Sequence, residues 1–308
     1  MCSPALSVKR CAGGVRARRS GIRKGSGRLR SMTQSTDSWF DPKPTALTAG
    51  EIWVREELGR LRATRISPRA TARFLAASWR RSSATRRARP ELARRAYYLL
   101  AFGAAAWLAP AAMRAEPFRR RLRFGLAWWG LTAVMLDLHL AMFETEDGRP
   151  RPLGAADALT LARAWLVPVV ADSPTVLVCG LAAATDALDG RLARRAEPTR
   201  AGRDLEALVD ACFVLAALRG LTRRRRLARV AALVEAGRLT GGFGYATYAY
   251  LGRARAPEAR LVGATRSASA VRFAGLIAAA ARRRRLGGAL LVSASACSIA
   301  LTARAARG

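Results

Sequence analysis

The apolar residues of this 308-residue chain are gathered into long blocks, and arginine-rich segments separate the blocks. Apolar blocks joined by basic loops are typical of membrane-spanning helices, whereas soluble domains intersperse apolar and charged residues. Several blocks are shorter than the roughly 20 residues of one span, but their regular repeat and their alanine and glycine content favour close packing in lipid. We therefore predict an all-α polytopic membrane protein. The blocks lie at about 96–113, 124–143, 157–171, 174–188, 204–221, 227–252, 268–281 and 287–303.

The N-terminal part of the chain has a different composition. Residues 1–40 are basic and lack a periodic apolar stripe, so we expect a disordered tail. Residues 1–31 are expected to precede the true start at Met32, with a transit peptide as the alternative. Residues 41–95 contain two arginine-rich amphipathic helices, which either lie in the lipid headgroup plane or pack on each other in solvent.

The formal net charge of +33 comes almost wholly from arginine. A nucleic-acid-binding protein is expected to interleave aromatic and basic residues on a folded face, but here the aromatic residues lie mainly inside apolar blocks. An anionic lipid surface is the simpler partner for these arginines, and no nucleic acid is expected. The last six blocks, at about 150–304, are expected to form one bundle, and the segment 96–143 an extra membrane hairpin.

Four acidic residues stand inside or beside two neighbouring apolar blocks. Carboxylates are costly in hydrocarbon, so these are expected to face the bundle interior or water. Asp186 and Asp189 are three residues apart, and Glu206 and Asp210 are four apart, so each pair shares one helix face. If the two helices pack antiparallel through these faces, the four carboxylates converge. No side-chain cation in the pattern is close enough to neutralise them all.

Clustered carboxylates in a low-dielectric bundle repel one another unless a cation joins them. Ligands that are all oxygen favour magnesium or manganese over zinc. Two such ions bound to a diphosphate would stabilise both the attacking and the leaving oxygen of an in-line displacement. The four carboxylates therefore predict a site for Mg²⁺ or Mn²⁺, with two ions expected.

The same stretch resembles the signature of the CDP-alcohol phosphatidyltransferase family, D-x-x-D-G-x-x-A-R followed by G-x-x-x-D-x-x-x-D. This chain reads DALDGRLAR from Asp186 and GRDLEALVD from Gly202, so Glu206 stands at the family's third aspartate position. The resemblance covers about 150 to 304. It implies a six-helix transmembrane bundle, to which the upstream segment adds an N-terminal helical hairpin.

The resemblance implies transfer of a phosphatidyl group from CDP-diacylglycerol to an alcohol acceptor, with release of CMP. It assigns the metal ligands to Asp186, Asp189, Glu206 and Asp210, and it makes Asp210 the general base. Nucleotide-binding positions carried over from the family are Gly190, Ala193, Arg194 and Gly202. Arg163, Arg238 and Arg266 are candidates for a phosphate on the acceptor, because guanidinium binds phosphate in a bidentate manner; a purely interfacial role is the alternative for each.

The resemblance also implies an active site that faces the cytoplasm, and it is compatible with a homodimer. We expect the membrane to be a bacterial cell membrane. In that orientation the arginine runs at 223–226 and 282–285 fall on the far side of the membrane, against the positive-inside tendency. Two other functions stay open at this point. One is a catalytically inactive membrane scaffold of the same fold, which the glutamate at 206 makes credible. The other is a basic protein that binds membrane surfaces or nucleic acid through residues 1–95.

Overall fold

The computed structural model describes residues 49–145, 148–195, 199–248 and 268–307. The expected disordered tail, residues 1–40, lies outside these ranges. The described residues form ten α-helices and no strand, which confirms the all-α prediction. The helices are α1 Ala49–Ala63, α2 Pro68–Ala88, α3 Pro90–Ala112, α4 Phe118–Leu138, α5 Ala155–Asp172, α6 Val176–Arg195, α7 Arg200–Arg223, α8 Arg229–Thr247, α9 Ser269–Ala280 and α10 Arg284–Arg307.

Local sequence signals account for several helix starts. Proline occupies the first position of α2 and of α3, where its missing N–H breaks no helical hydrogen bond. The Ser67 hydroxyl accepts a hydrogen bond from the Ala70 amide at 3.3 Å and caps α2. The Thr199 hydroxyl caps α7 in the same way, accepting from the Gly202 amide at 3.0 Å. Each predicted apolar block corresponds to one of the helices α3 to α10.

The length and hydropathy of the described helices identify fewer membrane spans than the apolar blocks of the sequence predicted. In the described part of the chain, one segment, Arg284–Arg304 of α10, is both long enough and apolar enough to span a bilayer. Ser269–Ala280 is apolar but shorter. Helices α6 and α7 carry the acidic residues of the candidate site together with arginines, which lowers their hydropathy. The predicted six-span bundle is therefore not confirmed by length and composition.

Helix α5 is the centre of the bundle. It packs against α6 on one side and α7 on another, while α9 and α10 pair with each other and close the bundle against α6 and α8. The main apolar core lies between these helices and includes Phe213, Leu221, Leu276 and Leu291, all fully buried. This arrangement places the middle of α5 where residues from both α6 and α7 can reach it.

The hairpin of α3 and α4 packs directly on α5. The Trp128 indole N–H donates to the Ala164 carbonyl at 2.8 Å, and the Trp165 indole N–H donates to the Gly103 carbonyl at 3.0 Å. Trp107 is fully buried between Phe118 and Trp165, with ring centroids 5.1 and 5.6 Å away. The hairpin is thus joined to the bundle by buried aromatic contacts and reciprocal indole hydrogen bonds.

Helices α1 and α2 pack on each other, and α2 also packs on α4. Asp137, near the end of α4, binds side chains of α2. Its carboxylate accepts two hydrogen bonds from the Arg86 guanidinium, at 2.6 and 2.5 Å, and the Ser82 hydroxyl donates to its backbone carbonyl at 2.5 Å. Arg89 donates to the carbonyls of Phe143 and Arg151, at 3.0 and 2.6 Å. Arg89 therefore holds the segment that leads from the hairpin into α5.

We predict that Gly125→Ala destabilises the fold whereas Gly130→Ala, on the same helix, does not. A Cβ at Gly125 would lie 2.6 Å from the Trp107 ring, while a Cβ at Gly130 meets nothing within 4 Å. Alanine at an open helical site stabilises by about 1 kcal/mol, so the two substitutions should shift the melting temperature in opposite directions. Thermal unfolding of the detergent-solubilised variants measures this. Equal shifts would contradict the packing of Trp107 described above.

Candidate functional site

The carboxylates predicted from the sequence do come together. Oxygen atoms of Asp186, Glu206 and Asp210 all lie within 4.8 Å of one another, and each of these side chains is partly exposed. Asp189, one helical turn from Asp186, is buried. The site is therefore a group of acidic side chains that solvent reaches from one side and that Asp189 closes on the protein side.

The carboxylates converge with the help of a third helix. Their convergence was predicted for the case that α6 and α7 pack antiparallel through their acidic faces, but α5 packs against both helices and makes most of the contact. The acidic residues of α6 and α7 therefore come together beside α5. A compatible group on α5 is needed next to them.

That group is Arg163. Its side chain is fully buried, and its guanidinium donates to Asp189 and to Asp210. A third carboxylate, Asp186, lies 3.7 Å from the same guanidinium, and Nε is 3.4 Å from the Thr185 hydroxyl. The expectation that no side-chain cation neutralises the carboxylates was incomplete, because the cation comes from a third helix. Arg163 was not predicted to belong to this cluster, because its partners Thr185 and Asp210 lie 22 and 47 residues away. No local sequence pattern links residues so far apart.

Arg163 offers one positive charge to three carboxylates, those of Asp186, Asp189 and Asp210. Among the described residues, the buried Oδ1 of Asp189 has no hydrogen-bond partner. A buried oxygen without a partner costs free energy unless another group binds it. The all-oxygen donor set and this unpartnered oxygen both fit a hard divalent cation. The residues that could hold one are Asp186, Asp189, Glu206 and Asp210.

Gly202 lies where the start of α7 approaches the start of α5. A Cβ at this position would lie 2.7 Å from the Thr199 hydroxyl and 2.9 Å from an Asp157 carboxylate oxygen. Asp157 in turn accepts from the Gly154 amide at 2.7 Å and caps α5. The glycine therefore allows two helix N-termini to meet beside the carboxylates. A nucleotide contact at Gly202 stays a prediction.

The other predicted nucleotide-binding residues lie in the last turns of α6, after the two aspartates. Gly190, Ala193 and Arg194 all lie on α6, but their side chains are not in the described part of the structure. Their position next to Asp189 is what the spacing predicted.

The predicted acceptor-phosphate arginines lie in three different places. Arg163 is inside the carboxylate cluster, Arg266 is outside the described residues, and Arg238 belongs to a buried network on α8. Arg238 donates to both oxygens of Glu235, at 2.9 and 2.7 Å. Arg272 of α9 pairs with the same carboxylate at 2.5 Å. Two buried guanidiniums thus share one carboxylate, and the sequence pattern had not indicated Arg272.

A hydroxyl group gives the Glu235 carboxylate a further hydrogen bond. Ser295 of α10 donates to Glu235 at 2.6 Å, and Glu235 itself is fully buried. The network ties α8, α9 and α10 together.

Comparison with known proteins agrees with the geometry. The family model of the CDP-alcohol phosphatidyltransferases matches residues 153–300, which include α5 to α9 and the whole carboxylate cluster. This part of the chain is a CDP-alcohol phosphatidyltransferase domain. Members of the family are membrane proteins that transfer a phospholipid head group from a CDP-alcohol, and in general they depend on a divalent metal. No curated protein and no solved structure matches the chain.

We predict that Arg163→Gln makes folding depend on divalent metal. Removing one partner of a buried ion pair costs about 3–5 kcal/mol, because the remaining carboxylates lose their counter-charge. In chelator the variant should melt well below the parent, and Mg²⁺ should raise its melting temperature more than it raises that of the parent. Arg219→Gln, an exposed site on α7, is the control. An equal Mg²⁺ effect in the parent and in Arg163→Gln would show that the guanidinium does not balance the site.

Proposed function

We propose that the chain catalyses the metal-dependent transfer of a phosphatidyl group from CDP-diacylglycerol to an alcohol, with release of CMP. The observation that carries this proposal is the convergence of Asp186, Glu206 and Asp210 within 4.8 Å, at the positions of the family's spaced motif. The family match supports head-group transfer from a CDP-alcohol, and the lipid and the acceptor are our inference.

Mg²⁺ or Mn²⁺, with two ions expected, would be held by Asp186, Asp189, Glu206 and Asp210. When bound, such ions supply charge neutralisation of the diphosphate and stabilise the leaving CMP. The Oδ1 of Asp189 supports this assignment, since it is buried and no donor among the described residues bonds to it. Glu206 is one methylene longer than an aspartate, and it still reaches the same group of oxygens.

Asp210 is the general base in this proposal. About a third of its side chain is exposed, at 31%, so an acceptor hydroxyl can approach its carboxylate. The acceptor oxygen forms a bond to the phosphorus of the phosphatidyl group while the bond from that phosphorus to the CMP oxygen breaks. The hydroxyl proton passes to Asp210, and CMP leaves with the bonding electrons.

Arg163 has a positioning role. Its guanidinium contacts carboxylates of both α6 and α7, so it fixes the distance between the two acidic faces before substrate binds. Pre-set distances reduce the reorganisation that the reaction needs. We propose this positioning role for Arg163 in place of a contact with a phosphate on the acceptor.

The nucleotide is expected to lie over the end of α6 and the start of α7, near Gly190, Ala193, Arg194 and Gly202. For a phosphorylated acceptor, Arg238 and Arg272 are the favoured partners. They carry two positive charges against the single carboxylate of Glu235, so the network has one positive charge in excess. Arg266 remains a candidate on sequence grounds alone.

We also propose that α5 to α10 form the six spans of a bacterial cell-membrane protein, as a monomer or homodimer, with the carboxylate cluster facing the cytoplasm. The membrane assignment is supported by the family and by the apolar helix Arg284–Arg304. Exposed apolar side chains such as Phe102, Leu177 and Leu233 suit contact with acyl chains.

A second candidate is an inactive scaffold of the same fold. Two observations favour it: a glutamate at 206, and a buried guanidinium that already engages three of the carboxylates. Substitution of Glu206 separates the two candidates, because restoring aspartate changes the reach of the ligand but not its charge.

We predict that Asp210→Asn lowers CMP release by about 100-fold or more, since the amide keeps the size of the side chain but is no base. Asp186→Asn and Asp189→Asn should weaken both metal binding and turnover. Asp204→Asn is the matched control, because Asp204 lies on the same helix with an exposed side chain and should leave the rate close to that of the parent. The assay is CMP release from CDP-diacylglycerol in Mg²⁺ with a panel of alcohols. Parental rates in all three cluster variants would refute the proposal.

We predict further that Glu206→Asp retains CMP release, because aspartate is the family's residue at the same helical position. The comparison uses the same assay and the parent protein as reference. CMP release seen only in Glu206→Asp, and absent in the parent, would instead establish the scaffold.

A further inference from the structure

The end of the bundle away from the carboxylates is dominated by arginine. The connections α3–α4, α5–α6, α7–α8 and α9–α10 meet there, and the arginine runs 119–121, 223–226 and 282–285 lie in or beside them. Contacts join these connections to one another. Arg226 donates to the carbonyls of Pro174 and Ala280, both at 3.1 Å. We call this surface the arginine end.

A single buried carboxylate organises the arginine end. Asp172, at the last residue of α5, is 1% exposed and pairs with Arg120, with Arg121 at 2.9 Å and with Arg223 at 3.5 Å. Its backbone carbonyl also accepts from Arg224 at 2.9 Å. Three guanidiniums from two helices therefore converge on one negative charge, and about half of the Arg120 and Arg223 side chains stays exposed, at 55% and 49%.

Convergence of like charges is unfavourable unless further anions bind beside them. In the connecting segments 112–118, 172–176, 223–229 and 280–284, the acidic residues are Asp172 and the exposed Glu116. Arg224, Arg225, Arg282 and Arg283 are all exposed. The arginine end thus presents excess positive charge that the described side chains do not balance.

The turns themselves hold arginine where glycine is usual. Arg225 and Arg282 follow the ends of α7 and α9 with φ of 56° and 64°, in the left-handed region. The next residue in each case closes the helix end, with Arg226 N–H to Leu221 O at 2.8 Å and Arg283 N–H to Ala278 O at 2.9 Å. Arg225 and Arg282 are both exposed at these turns.

The neighbours of these arginines indicate the kind of anion. Exposed apolar side chains flank the charged turns: Met113 is 74% exposed, Val230 71% and Leu286 47%. Guanidinium groups next to exposed aliphatic side chains match the boundary between lipid phosphates and acyl chains. A site for a soluble anion or for nucleic acid would not need the aliphatic rim.

We propose that the arginine end is a binding surface for the phosphate groups of anionic phospholipids, on the side of the protein opposite the carboxylate cluster. Guanidinium binds phosphate in a bidentate manner. The Asp172 contacts fix Arg120, Arg121 and Arg223 in place, and the exposed Arg225, Arg282 and Arg283 in the adjoining turns present their charges to the lipid phosphates. The proposal requires that the protein lies in a membrane, and it does not require transferase activity.

The test is native mass spectrometry of the full chain in detergent, with added phosphatidylglycerol or phosphatidylcholine. The triple variant Arg225→Gln, Arg282→Gln, Arg283→Gln removes three exposed charges from the arginine end. The matched control removes three exposed charges from α2, as Arg69→Gln, Arg73→Gln, Arg80→Gln. We expect the first variant to retain several-fold less phosphatidylglycerol than the parent, the control to retain as much as the parent, and phosphatidylcholine to be unaffected.

A second triple variant, with lysine in place of glutamine, keeps the charge and should keep most of the lipid. This separates loss of a binding surface from loss of folding. Unchanged phosphatidylglycerol in the glutamine variant, or an equal loss in the α2 control, would overturn the proposal. So would full displacement of the lipid by inorganic phosphate, which would identify a site for a free anion. CMP release is measured in parallel, and its absence in the parent would refute the proposed function alone.

Discussion

The buried guanidinium of Arg163 is the interaction on which the rest of the site depends. It comes from α5, the helix at the centre of the bundle, and it contacts carboxylates from α6 and α7. A buried charge of either sign is unfavourable alone, so the arginine and the carboxylates require one another. In the described part of the structure one guanidinium faces three carboxylates, those of Asp186, Asp189 and Asp210, so the contacts that assemble the site are compatible with a bound cation.

Charge is distributed along α5 in a consistent way. At one end Asp157 caps the helix and meets Gly202 at the start of α7. In the middle Arg163 faces the acidic residues, and at the far end Asp172 faces arginines of α4 and α7. The α3–α4 hairpin, which lies outside the family match, holds this helix through the indoles of Trp128 and Trp165. The additional N-terminal helices therefore support the helix that carries the cation of the site.

Much of this could be predicted from the sequence, for physical reasons. Local spacing fixes which side chains share a helix face, so the pairs Asp186 with Asp189 and Glu206 with Asp210 were predicted, as was the helical state of each apolar block. The convergence of the two pairs was made conditional on antiparallel packing of α6 on α7, whereas α5 packs against both helices and makes most of the contact. A pairwise argument from two helix faces does not indicate a third helix that contributes a side chain to the site. The contact of Glu235 with Arg272 was missed for the same reason, because the two residues lie on different helices, α8 and α9, and no local periodicity links them.

The most direct test of the account is a Mn²⁺ titration of the purified full chain followed by electron paramagnetic resonance, which counts free and bound ions without any need for turnover. We predict that the parent binds Mn²⁺ and that Asp186→Asn and Asp210→Asn lose most of this binding, while Asp204→Asn keeps it. Mn²⁺ binding that is absent in the parent, or unchanged in both cluster variants, would contradict the claim that these carboxylates form a metal centre.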